Sequence, residues 1–261
     1  QQTGELKLVS INGGTAPNVT PDAACAVLAC SEAMAAKLVS LSFPKVTVTA
    51  NENGVQVSAE GVSAHGSTPW QGENAIGRLM LALDNLPFEG EMQQIIHFLA
   101  EKLGMETTGK SAGIYLHDDV SGDLSLNWGT LNADEEKLSM IINYRFPVTK
   151  EYADCAPALD ALFAEAGFTK EKEAFKNKLY MSADSDLVKI LLKVYKDHTG
   201  IDGKPISIGG GTYAKCLPNI LAFGPIFPGD EVREHKPDEF IEIPKLMKNA
   251  QIMASAMYEM A

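Results

Sequence analysis

Residues 46–58 read Val-Thr-Val-Thr-Ala-Asn-Glu-Asn-Gly-Val-Gln-Val-Ser, and this stretch decides the fold class. Apolar and polar side chains alternate strictly on both sides of residues 51–54. Such alternation is typical of half-buried strands, and a turn rich in Asn and Gly is typical of a hairpin. The stretch therefore predicts two antiparallel strands joined by a tight turn.

The segments before and after this hairpin predict further strands and the helices that cover them. Strands are predicted at residues 6–11, 23–29, 124–131, 138–146, 206–208 and 219–223, with a weak one at 175–181. Helices are predicted at residues 31–41, 73–86, 92–103, 151–167, 184–198 and 244–260. Mixed sheets covered by helices indicate the α/β or α+β class. The character of the sequence changes near residue 182, so we predict two domains, residues 1–182 and 183–261.

The composition is that of a folded, acidic protein. Of the 261 residues, 45% are hydrophobic and 21% are charged, and the formal net charge is -12. Such a surface repels nucleic-acid phosphates and anionic membranes, which argues against both as partners. Four cysteines without a C-x-x-C spacing are interpreted as reduced thiols of a cytoplasmic protein.

Two segments carry side chains that suit the recognition of a substrate. His65 lies in Gly-Val-Ser-Ala-His-Gly-Ser-Thr-Pro (residues 61–69), and an imidazole held in such a loop can donate a hydrogen bond to a developing oxyanion. Arg145 lies in Asn-Tyr-Arg-Phe-Pro (residues 143–147), and its planar guanidinium suits a carboxylate. Each also has a plainer interpretation, as a loop histidine without a role and as the arginine of a surface ion pair.

Two further segments lie in the predicted second domain. Three glycines at 209–211 and Thr212 follow a predicted strand, and glycines let another group approach the backbone closely. The spacing is not that of a phosphate-binding loop. His235, in Glu-His-Lys-Pro-Asp-Glu (residues 234–239), is a candidate zinc ligand. The alternatives are an ordinary glycine-rich loop and a solvated charged loop.

Taken together and in this order, the segments resemble the di-zinc exopeptidases of the aminoacylase and carboxypeptidase family. The likeness is greatest to the bacterial Xaa-His (carnosinase-like) dipeptidases. It rests on residues 63–75, 143–147, 209–213, 222–225 and 235–240, and on Asn-Val-Thr-Pro-Asp at 18–22, which matches the entry to that family's lid domain.

The resemblance implies a role for each matching residue. His65 would stabilise the oxyanion, and Asn18 and Arg145 would hold the carboxylate of a dipeptide substrate. Gly210, Gly211 and Thr212 would lie along the substrate backbone. His235 would bind one of two zinc ions, which activate the water that hydrolyses the amide.

The chain departs from this family in one large respect. The family's other zinc ligands come from an H-x-D motif, a bridging Asp, a Glu-Glu pair and a further Asp ahead of the lid, and no H-x-D motif stands ahead of the matching segments here. One histidine cannot hold a zinc pair. The resemblance thus implies an enlarged lid at residues 1–182 and the last piece of the catalytic domain at 183–261, from an intact enzyme that is a monomer.

Two expectations follow for the chain as it stands. The opening Gln-Gln-Thr-Gly, without Met, suggests a processed or truncated N-terminus, so the chain alone is expected to bind no zinc and to be inactive. The alternative is a non-catalytic lid module that binds peptides or mediates assembly.

Overall fold

The computed structural model describes residues 2–176, 178–231 and 238–261. The chain divides into two compact units, Gln1–Ala174 and Phe175–Ala261, called here the first and the second unit. The strands of the described residues are β1 (Lys7–Gly13), β2 (Val19–Thr20), β3 (Ala23–Ala29), β4 (Val46–Asn51), β5 (Gly54–Glu60), β6 (Ala64–His65), β7 (His117–Asp118), β8 (Gly122–Asp123), β9 (Ser125–Ala133) and β10 (Leu138–Arg145). The α-helices are α1 (Glu32–Val39), α2 (Ala75–Leu83), α3 (Gly90–Lys102), α4 (Ala156–Glu165), α5 (Asp186–Thr199) and α6 (Ile243–Glu259).

A six-stranded antiparallel sheet forms the centre of the first unit, in the order β10-β9-β1-β3-β5-β4. The predicted hairpin is its β4–β5 edge, where Val48 lies opposite Val57 and Asn51 lies opposite Gly54. Antiparallel strands together with helices confirm the predicted mixed class in its α+β form. The alternation read from residues 46–58 works because one face of this edge is buried and the other is not.

The core of the first unit lies between this sheet and the helices. Leu28, Val55 and Val57 from the sheet and Ile76 and Leu79 from α2 are all fully buried. Burying a side chain of this size contributes about 1.5–3 kcal/mol. Part of the packing against the sheet thus comes from α2, which follows shortly after the segment that carries His65.

Two residues fix the position of α2. Asn74 caps the helix, since its Oδ1 accepts from the backbone amides of Ile76 at 3.0 Å and Gly77 at 3.2 Å, and its Nδ2 donates to the carbonyl of Trp128 on β9 at 2.8 Å. At Gly77 an added Cβ would lie 1.8 Å from the carbonyl oxygen of Gly104, so only glycine allows this close approach. The helix start is thus tied to the sheet.

One predicted helix begins later than expected. The predicted helix at 151–167 is a 3-10 turn at Tyr152–Asp154 followed by α4, with Cys155 between them at a non-helical φ of -133°. Pro157 explains the break, because proline is tolerated only in the first turn of a helix.

The second unit contains α5 and α6, which pack through Leu191, Val194, Ile252 and Ala256. Three predicted strands, at 175–181, 206–208 and 219–223, are not strands in the described part of the chain. Ile206 is 86% exposed, and an extended segment becomes a strand only when a neighbour accepts its hydrogen bonds. None of the helices in the described segments has the length and apolar character needed to cross a bilayer.

Candidate functional site

A two-residue antiparallel ladder brings Asn18 and His65 together. β2 pairs with β6, with Val19 opposite His65 and Thr20 opposite Ala64. The amide of Gly66 donates to the carbonyl of Asn18 at 2.7 Å. An added Cβ at Gly66 would lie 2.9 Å from that oxygen, so a side chain there would push the two segments apart. Two residues that are 47 positions apart are thus neighbours, and both are exposed.

The imidazole of His65 is oriented by Ser67. Its Nδ1 accepts from the backbone amide of Ser67 at 3.2 Å and lies 2.6 Å from the Ser67 Oγ. A backbone amide can only donate, so Nδ1 is the acceptor and the neutral ring carries its proton on Nε2. The Nε2–H group is the donor that an oxyanion requires.

Asn127 on β9 is a buried polar residue of this region that the sequence reading did not single out. It is 1% exposed, and its Nδ2 donates to the carbonyls of Pro17 at 3.0 Å and Val19 at 2.9 Å. Its Oδ1 accepts from the hydroxyl of Thr20 at 3.0 Å. An Asn between Leu126 and Trp128 in a predicted strand was the available signal, because buried amides need partners.

Arg145 lies at the end of β10, opposite Ser125 on β9. Asn143 lies opposite Asn127 in the same ladder. Directly opposed residues share a face of the sheet, as do residues two positions apart. Arg145 therefore shares the face on which Asn127 contacts residues 17–20. Burial lowers the pKa of the half-buried Arg145 guanidinium, which nevertheless stays charged at neutral pH.

The chain just after Arg145 is anchored by the buried carboxylate of Asp118. Its Oδ2 accepts from the amide and the hydroxyl of Thr149 at 2.9 and 2.8 Å, and its Oδ1 accepts from the amide and the hydroxyl of Ser121. Burial by itself would raise the pKa of this carboxyl, but the hydrogen bonds outweigh it and hold the pKa well below its ordinary value. Asp118 thus acts here as a charged structural acceptor.

The candidate residues of the second unit are placed only in part. Thr212 caps a 3-10 helix at Tyr213–Cys216, where its Oγ1 accepts from the amide of Ala214 at 3.3 Å. A Cβ added at Gly211 would meet nothing within 4 Å, and one at Gly210 would meet only Ile208 at 4.0 Å. Among the described residues, the space beside these two glycines is therefore open.

The described residues do not provide a metal centre. Among residues 2–176, 178–231 and 238–261, no three His, Cys, Asp or Glu side chains are grouped as a metal site requires. The sequence His-Asp-Asp at 117–119 has the H-x-D spacing, but His117 contacts Asp123 at 2.7 Å within the β7–β8 hairpin. The predicted zinc ligand His235 lies outside the described residues. The described side chains therefore do not fit a zinc pair.

Comparison with known proteins gives matches along almost the entire chain. It is 34% identical to the "Putative dipeptidase YtjP" of Bacillus subtilis (strain 168) over 264 aligned positions, which cover 97% of this chain and 56% of the relative. It is 31% identical to the "Beta-Ala-Xaa dipeptidase" of Lactobacillus delbrueckii subsp. lactis, over 98% of this chain and 56% of the relative. The chain thus spans just over half the length of these relatives. No protein-family model matches it.

Proposed function

Since nearly the whole chain is similar to proteins named dipeptidases, we propose that it forms part of a peptidase that hydrolyses dipeptides. The observation that carries the proposal is the similarity over 97–98% of the chain, which includes a relative named for its action on Beta-Ala-Xaa. The β2–β6 ladder supports it, because it brings together an amide side chain that suits the terminal carboxylate of a dipeptide and an imidazole that suits its scissile carbonyl.

The proposed work of this chain is to bind the substrate and to stabilise the oxyanion. The Nε2–H group of His65 donates to the carbonyl oxygen of the scissile amide as negative charge develops there. The Asn18 amide and the Arg145 guanidinium hold the substrate's terminal carboxylate. Gly210, Gly211 and Thr212 are the proposed contacts of the substrate backbone, and the two glycines leave room for it because they have no side chains.

Zinc is the proposed cofactor of the longer protein. His235 is one proposed ligand, and the described residues of this chain offer no further ones in a group. A zinc centre would therefore need ligands from elsewhere. We propose accordingly that the 261-residue chain by itself does not hydrolyse dipeptides.

The test is to clone the gene with its upstream region and to assay both forms with zinc. The substrates are Ala-Ala, β-Ala-His and an N-acyl amino acid. We expect the longer protein to cleave the dipeptides, and a chelator to abolish this activity. A longer protein that cleaves only the N-acyl amino acid, or nothing, would overturn the proposal. If the 261-residue chain alone cleaves dipeptides and a chelator abolishes this activity, the proposal that zinc needs ligands from outside this chain is overturned.

A further inference from the structure

We propose that Asn127 is a positioning residue that holds Asn18 and His65 in one fixed arrangement. Asn127 is 1% exposed, so it acts through the residues it holds and does not touch the substrate. The inference rests on the proposed function only in that Asn18 and His65 are there taken to bind the dipeptide.

The hydrogen bonds of Asn127 bracket Asn18. Both N–H groups of its side chain are used, one on the carbonyl of Pro17 and one on the carbonyl of Val19, the residues immediately before and after Asn18. Its oxygen accepts from Thr20 at 3.0 Å. Asn18 is thus an exposed side chain on a backbone that is fastened on both sides to a buried strand.

The same three bonds reach His65 through the β2–β6 ladder. Val19, whose carbonyl Asn127 holds, is the residue paired with His65, and the carbonyl of Asn18 accepts from Gly66. The segment lies directly against β9, since an added Cβ at Gly129 would come within 2.5 Å of the Pro17 carbonyl oxygen. β9 lies between β1 and β10 in the large sheet, which makes it a rigid support.

Other side chains in the region do not make these connections. Asn74 binds the carbonyl of Trp128 and fixes α2, and Asp118 fixes the chain after Arg145. Asn127 is the side chain whose described bonds hold the backbone on both sides of Asn18. Removing its two donors leaves two carbonyls unsatisfied beside a buried strand, and this favours opening of the β2–β6 ladder.

The test uses Asn127→Asp in the 261-residue chain. This substitution keeps the shape and the acceptor for Thr20, and it replaces both donors with an acceptor. We expect hydrogen exchange of the Gly66 amide to accelerate at least about tenfold relative to the Val57 amide in the core, because the ladder opens locally. The imidazole proton resonances of His65 should shift, while those of His198 in the second unit should not.

Asn132→Asp is the matched control, since Asn132 is an exposed residue on the same strand. It should leave the exchange of Gly66 unchanged. If Asn127→Asp does not fold, the substitution Thr20→Val takes its place. Thr20→Val removes one of the three hydrogen bonds of Asn127 and should accelerate hydrogen exchange of the Gly66 amide about threefold. Unchanged exchange at Gly66 and unchanged His65 resonances in the folded variant would overturn the positioning role.

A kinetic arm separates this inference from the proposed function. In the longer protein, Asn127→Asp should lower kcat/KM for a dipeptide about 100-fold, with KM raised through Asn18 and kcat lowered through His65. Asn132→Asp should leave both unchanged. If the unsubstituted protein cleaves no dipeptide, the proposed function fails and the exchange result alone decides the role of Asn127. If it is active and Asn127→Asp behaves as Asn132→Asp does, the positioning role is overturned.

Discussion

The backbone amide of Ser67 decides which nitrogen of His65 carries the proton. The amide donates to Nδ1 at 3.2 Å, so the neutral ring is protonated on Nε2. We expect Ser67→Ala to keep this tautomer, because it removes the hydroxyl and leaves the amide. Nitrogen NMR of the imidazole in the 261-residue chain measures it directly. A Nδ1 that is mainly protonated in the neutral ring would contradict the assignment.

His65 itself can be tested by its removal. In the longer protein, His65→Ala should lower kcat about 10²–10³-fold, the usual effect of losing one oxyanion donor. His97→Ala is the control, because His97 is also an exposed histidine of the first unit and contacts Asp84 at 3.1 Å. Steady-state kinetics with a dipeptide measures both variants. A kcat equal to that of the unsubstituted protein would argue against the oxyanion role.

Asp118 makes the stability of the first unit depend on pH. Its pKa is lowered in the folded state, so its stabilising contribution is complete above the ordinary carboxyl pKa of about 4 and is lost as the pH falls below it. Asp118→Asn should lower the free energy of unfolding at pH 7 by about 1.5–3 kcal/mol and make its decrease toward acid shallower. The pKa of the Glu106 carboxyl is lowered to about 2, so its contribution to the free energy of unfolding is also complete above the ordinary carboxyl pKa and is lost as the pH falls below it.

Urea unfolding at pH 7 and at pH 3 measures this prediction. Asp119→Asn is the control, because Asp119 is the adjacent carboxylate and its side chain is fully exposed. A loss of stability at pH 7 as small as that of Asp119→Asn would show that the hydrogen bonds of Asp118 contribute little.

The elements that the sequence predicted best are those whose pattern is local. The alternation at 46–58 predicted β4 and β5, and the helix predicted at 31–41 is α1, which Ser31 caps by accepting from the amide of Met34. Pro157 could have corrected the start of α4 from the sequence alone. The hydrogen-bond partners of Asn127 were out of reach, because they lie 107–110 positions earlier in the chain.

At the start of α2, the side chain of Asn74 makes both a local hydrogen bond, as the N-cap, and a distant one, to the carbonyl of Trp128 on β9. Asn74→Ala should lower the free energy of unfolding by about 2 kcal/mol, about half from the lost cap and half from the lost bond to the Trp128 carbonyl. Asn74→Asp keeps the cap and should cost about 1 kcal/mol. Urea unfolding measures both variants, and an Asn74→Asp variant as stable as the unsubstituted chain would rule out the contribution of the bond to the Trp128 carbonyl.

The two units of the whole molecule differ in how much apolar surface they bury. The first has a continuous core across sheet and helices. In the described part of the second, one cluster of four buried hydrophobic residues lies between α5 and α6, and side chains such as Ile243, Met257 and Tyr258 are exposed. Stability follows buried apolar area. The composition predicted a packed core for the chain, but it could not show how unevenly that core is divided.

We therefore expect the amides of α5 and α6 to exchange with solvent at least about tenfold faster than those of β3 and β5. Val194→Ala should accelerate exchange in α5 and α6 and leave β3 unchanged, because it opens a cavity only in the small core. Leu28→Ala should do the reverse. Mass spectrometry of hydrogen exchange measures both, and equal protection in the two units would contradict the prediction.

The positions of the two tryptophans give the molecule an optical property. Trp70 and Trp128 both belong to the first unit, where Trp70 is 55% exposed and Trp128 is 1% exposed. Intrinsic fluorescence excited at the indole band therefore reports on the first unit alone. A soluble quencher would reach Trp70 and spare Trp128, so the unquenched emission belongs to an indole that is adjacent to Asn127 in β9. The emission of Trp128 therefore reports on β9, the strand whose Asn127 holds the backbone around Asn18.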